Sequence, residues 1–161
     1  MLLHDLNRNA IQPLFALLPV KMSTRAAQQM LLTIAMQESG ARHRRQAGGP
    51  ARGYWQFEHG GGVIGVLKHP ATAEWASMAC AVLDYPAESV YVYQAIEHND
   101  ILAAAFARLL LWTLPAPLAA DQDAGWSQYI DAWRPGKPHP DKWPRCWAAA
   151  AQYLDAVDAA A

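Results

Sequence analysis

The chain has 161 residues and a mass of 17.7 kDa, the span of one ordinary domain built on a single apolar core. Apolar residues make up 53%, charged residues 17%, and the formal net charge is -1, which excludes intrinsic disorder, an acidic tail and the overall basic balance of a nucleic-acid binder. The longest apolar run, 101–107, even with the run 109–112 that follows Arg108, falls well short of the ~20 residues that a membrane-spanning helix needs, so no membrane span is expected.

Taken in chain order, the first predicted element is a helix over 3–18. Asp5, Asn7, Arg8 and Asn9 interrupt its apolar stretch and no small-residue cleavage site follows a basic segment, so it reads as a folded helix and not as a secretory signal. The next stretch, 23–38, places Ala27, Met30, Leu31, Ile34 and Glu38 on one helical face, with Ser23 available as N-cap and Gly40 as a stop. An irregular segment follows over 41–65, within which the glycine-rich stretch 53–66 is the one candidate for short strands. Helices are predicted over 72–83, 87–97, 99–112, 123–133 and 144–159, the last favoured outright by its alanines. A second irregular segment, 135–144, is rich in proline. The expected fold is all-α, a single domain spanning 1–161.

Composition narrows the chemistry. Cys80 and Cys146 sit in helical, alanine-rich surroundings and read as structural thiols. Seven Trp and six Tyr supply the flat amphipathic rings that line clefts for sugars and peptides. The triplet Gly60, Gly61, Gly62 lacks the lysine and hydroxyl residue of a phosphate loop, Lys68 being followed by His69. Six histidines never form HExxH or a close ligand pair, so neither a metal nor another cofactor is expected.

The main candidate for chemistry is Glu38, on the apolar face one turn after Ile34. Helix C-terminal carbonyls carry partial negative charge and partial burial disfavours ionisation, so both push this carboxyl's pKa upward. A carboxyl that stays protonated near neutral pH can act as a general acid. Position alone leaves a second reading open, a last-turn glutamate paired with Arg42 or Arg44 at the surface. The two irregular segments add charge: Arg42, His43, Arg44, Arg45 and Arg52 in the first, Lys137, His139 and Lys142 in the second. If they face each other they form a locally basic groove.

The string Gln37, Glu38, Ser39, Gly40, followed across a short loop by Pro50, Ala51, Arg52, Gly53, Tyr54, Trp55, Gln56, resembles lytic transglycosylases and goose-type lysozymes. In that family a helix ends in Glu-Ser and a GAxGLMQ motif follows; here Pro50 replaces its first Gly and Tyr54-Trp55 its Leu-Met. Asn99, Asp100 and Ile101 are similar to the family's Asn-Ile helix, and Tyr129 to the tyrosine of its AYNAG-like turn, whose hydroxyl reaches the catalytic carboxyl. The resemblance covers about 23–136.

What the resemblance implies is a lysozyme-like fold and a muramidase that cleaves the β-1,4 bond between N-acetylmuramic acid and N-acetylglucosamine in peptidoglycan glycan strands. Glu38 would be catalytic, with Ser39, Tyr54, Trp55, Gln56, Tyr129 and Arg52 binding substrate or holding the carboxyl. Tyr54 and Trp55 would stand against the sugar rings or beneath the catalytic helix, and the arginines 42, 44, 45 and 52 would dock peptide-stem carboxylates. A transglycosylase needs one carboxyl, which protonates the leaving oxygen and then deprotonates the sugar's own C6 hydroxyl. A hydrolase needs a second, for which Glu58 and Asp131 are the candidates. Modules of this kind occur in bacteriophage particles, which implies a virion-associated protein, or a cytoplasmic one until delivery to the wall, with other virion proteins as partners. Two alternatives stay open: a non-catalytic virion or glycan-binding module that keeps the fold, and an inverting hydrolase of chitin-like polymers that uses Glu38 and Glu58.

Overall fold

An apolar face must be buried against something, and the helices here sort by how much apolar surface each carries. The computed structural model describes residues 3–161; over these the chain is mostly helical and contains no β-sheet. α1 (Leu3–Leu6), a wider π-helical turn (Asn7–Ile11) and α2 (Gln12–Leu17) join through residues with helical dihedrals into one continuous rod. The wider turn ends just before Pro13, which has no backbone N–H to donate to the regular ladder.

A short 3-10 turn (Val20–Met22) leads into α3 (Arg25–Ser39). Thr24, not Ser23, is its N-cap: the Thr24 hydroxyl oxygen accepts the Ala27 N–H at 3.1 Å, a cap worth about 1 kcal/mol. Ser23 turns the other way, and its hydroxyl donates to the Phe15 carbonyl. At the far end Gly40 adopts the left-handed conformation, φ 65°. The N–H of Ala41 then reaches back to the Ala35 carbonyl over 3.1 Å, so the helix ends at Ser39.

The stretch expected to hold short strands, 53–66, contributes only Phe57 to an isolated backbone pairing, with Arg52, which also pairs with Arg45. From His59 the chain coils into a wide turn (His59–Val63) and α4 (Ile64–Lys68). Val63 and Val66 are both fully buried, a helical spacing that the surrounding glycines dilute in the sequence. Gly62 is required there because any Cβ would fall 2.6 Å from the Phe57 ring.

The remaining helices are α5 (Ala73–Val82), α6 (Ser89–Ile96), α7 (Asp100–Trp112), α8 (Gln122–Trp133) and α9 (Trp143–Ala160), each within a residue or two of its predicted span. α7 is the central element: every residue from Leu102 to Leu111 is buried, as a helix apolar all round must be. It touches α2, α3, α4, α5, α6 and α8, while α9 closes over α3. Arg108 lies inside this core, 2% exposed; its Nε donates to the Met22 carbonyl at 2.8 Å, and burial pushes its pKa down to about 10. Cys80 and Cys146 are free and buried, and burial raises both thiol pKa values, that of Cys80 to about 11. No described helix is long and apolar enough to cross a membrane.

Candidate active site

The last turn of α3 delivers Glu38 to an open groove of about 1180 Å³. Two chain segments bound it: Gln56 to His69, with the bare backbone of Gly60, Gly61, Gly62 and Gly65, and Tyr129 to Lys142. Glu38 is half-buried between them, because Ile34 one turn earlier belongs to the core.

Tyr129, on α8 and itself buried, donates its hydroxyl to Glu38 Oε1 over 2.6 Å. Oε2 takes no hydrogen bond from the described residues. The phenol is fixed by aromatic neighbours, stacked on Trp143 at 5.1 Å and 18° and flanked by Trp126 and Trp133. Four influences meet on the carboxyl. Burial, the largest, raises its pKa; the Tyr129 hydrogen bond and the charge of Lys142 lower it; the charge of Glu58 raises it. The result lies above the ordinary value. Tyr129 is driven up as well, first by burial and then by the neighbouring carboxylate, so it remains a neutral donor.

Of the residues singled out in the sequence, Glu38, Gln56, Glu58, Tyr129 and Asp131 line the groove. Gln56 is held in a left-handed conformation, φ 53°, with its amide nitrogen donating to the Gly53 carbonyl at 2.8 Å. Ser39, Tyr54, Trp55 and Arg52 stand behind the wall and not on it. Ser39 is buried and donates to the carbonyls of Ala35 and Tyr54, pinning the loop to α3. Trp55 is fully buried and its indole N–H donates to the Leu31 carbonyl at 2.9 Å; it lies beneath α3 and presents no face to a sugar. Tyr54 is 3% exposed, under the Arg44 guanidinium at 4.7 Å.

The expected basic groove is corrected in its first half. Arg44 forms a two-point pair with Asp100 and Arg45 with Glu97, while Arg52 bonds the Gly49 and Ala51 carbonyls and also meets Glu97. None of these arginines lines the groove, and neither do Arg42 and His43. The second half holds: Lys137, His139 and Lys142 do line it, joined by Arg134.

Trp133 was not among the sequence candidates. It lines the groove half-buried, and its indole nitrogen donates to the Trp55 carbonyl. Its spacing of four from Tyr129, which puts both on one helical face, is the signal that could have found it. Among the described residues no group of three or more His, Cys, Asp or Glu side chains could hold a metal ion. Comparison of the chain with family models, curated proteins and solved structures returns no match.

Proposed function

We propose that the protein is a peptidoglycan-cleaving muramidase of the lytic transglycosylase type, with Glu38 as its single acid and base. The observation that carries this reading is the 2.6 Å hydrogen bond from Tyr129 to Glu38 Oε1 at the base of an open groove, on a carboxyl whose pKa is raised by burial. One oxygen is held and the other is left for the reacting proton.

In this mechanism Oε2 of protonated Glu38 gives its proton to the glycosidic oxygen as the bond to the anomeric carbon breaks, and the sugar becomes oxocarbenium-like. The carboxylate so formed is stabilised by the Tyr129 hydroxyl and the charge of Lys142, the two influences that lower its pKa. It then accepts the proton of the sugar's C6 hydroxyl as that oxygen closes onto the anomeric carbon, returning Glu38 to its protonated state. Trp133 offers the half-exposed ring along the groove, and the glycine-lined segment lets a polymer approach the backbone closely.

A second reading has its own support, since Glu58 and Asp131 also line the groove and a second carboxylate could activate water. Mass spectrometry of the products separates the two. The transglycosylase releases 1,6-anhydro-muramyl ends, lighter by one water than hydrolysed ends, and Glu58→Gln keeps the rate within a few-fold. Reducing ends together with an inactive Glu58→Gln variant would assign hydrolysis. Wall binding without any release of fragments would assign a non-catalytic module.

A further inference from the structure

The groove carries a strip of cations that no described carboxylate holds in an ion pair. Arg134, Lys137 and Lys142 line it, and none of them belongs to an ion pair among the described residues. Arg44, Arg45 and Arg52 of the first loop are the opposite case, each matched to Asp100 or Glu97. The paired arginines thus stand outside the groove, whereas the groove acids Glu38, Glu58 and Asp131 form no ion pair with Arg134, Lys137 or Lys142.

The strip is also held in place. Pro135, Pro138 and Pro140 fix the backbone between Arg134 and Lys142. Gln37, on the catalytic helix, donates its amide nitrogen to the His139 carbonyl at 2.9 Å. Arg134 caps α8 in the left-handed conformation, φ 49°. Charges on an ordered backbone lose less freedom on binding than charges on a mobile loop.

Resting on the muramidase reading, we propose that Arg134, Lys137 and Lys142 dock the free carboxylates of the peptide stems carried by the muramyl sugars, so that the groove selects peptide-bearing, unamidated glycan. A neutral sugar chain gives such a strip nothing to neutralise. Single positive charges spread along an extended loop suit carboxylates spaced along a peptide better than one compact phosphate. Glu58 and Asp131 line the groove from its two bounding segments, but all three cations belong to 134–142, so the stems point toward that side. This sets the direction in which a strand lies across Glu38.

The test compares three polymers stripped of secondary wall phosphates: native sacculi, sacculi with stem carboxylates converted to amides, and peptide-free glycan strands. Turnover and co-sedimentation are both measured, for the wild type and for Arg134→Gln/Lys137→Gln. The wild type prefers native over amidated sacculi by about five-fold or more, a ratio that shrinks with salt because the cations are exposed. The double variant brings the ratio close to one, while Lys21→Gln, outside the groove, preserves it. Equal turnover of native and amidated sacculi, or a ratio that survives the double variant, overturns the docking proposal and leaves the muramidase reading intact. Absence of turnover with preferential, variant-sensitive sedimentation supports the docking strip and overturns the muramidase reading. Absence of both turnover and preference overturns both.

Discussion

The indole nitrogen of Trp133 donates to the backbone carbonyl of Trp55 over 2.9 Å, while the indole of Trp55 donates to the Leu31 carbonyl on α3. The two bonds run in series, so the wall of the groove, the loop behind it and the helix that carries Glu38 are tied together. Trp133→Phe keeps a ring on the wall but strands the Trp55 carbonyl. The expected cost is about 1 kcal/mol, seen as a lower urea midpoint with an unchanged slope, and a raised KM for glycan. An unchanged midpoint would mean that the bond is not made in solution.

Tyr129→Phe removes the hydroxyl and leaves the ring in its stack on Trp143. Because the hydroxyl favours the charged form of Glu38, its loss raises the carboxyl's pKa further. The limb of the pH-rate profile on which activity falls with rising pH therefore moves to higher pH. Turnover also drops by about 10- to 100-fold, as a carboxylate formed in the reaction loses its donor. A slower enzyme with an unmoved limb would reduce Tyr129 to packing.

Much of this site is legible in the sequence because the relevant signals are local. Glu38 stands out by its register with Ile34, and Gly40 by its place after the last apolar turn. The aromatic identity of Tyr129 is readable too, although only the tertiary fold brings α8 against the end of α3. What escapes is long-range pairing. Arg44 and Arg45 look like groove cations until Asp100 and Glu97, distant in sequence, are found beside them. For Trp55 the sequence leaves two places open, against the sugar rings or beneath the helix, and only the tertiary bond from its indole N–H to the Leu31 carbonyl selects the second. α4 is hidden for another reason: glycines at 60, 61, 62 and 65 weaken helix propensity, which the burial of Val63 and Val66 and the packing of Leu67 offset.

Glu38→Gln tests the electrostatics independently of activity. Burial raises the folded-state pKa of Glu38 above its unfolded value, about 4.3. The stability this contributes is complete below the unfolded pKa and is lost as pH rises through the folded one, where the native state must hold a charge in a partly desolvated place. The neutral glutamine escapes that loss. Glu38→Gln is therefore expected to show a higher Tm than the wild type at pH 7, with the difference closing by about pH 4. A variant less stable than the wild type at pH 7 would mean that the Tyr129 and Lys142 contacts outweigh burial.

The central claim is that the proton of Glu38 breaks the glycosidic bond, and its most direct test is fragment release from purified peptidoglycan by the wild type and by folded Glu38→Gln. The amide keeps the shape and the bond from Tyr129 but has no acidic proton to give. Soluble muropeptides are expected from the wild type and a rate at least about 100-fold lower from the variant, the scale of losing a general acid. A variant that retains more than about a tenth of wild-type release would contradict the claim, because a residue that dispensable is not the acid.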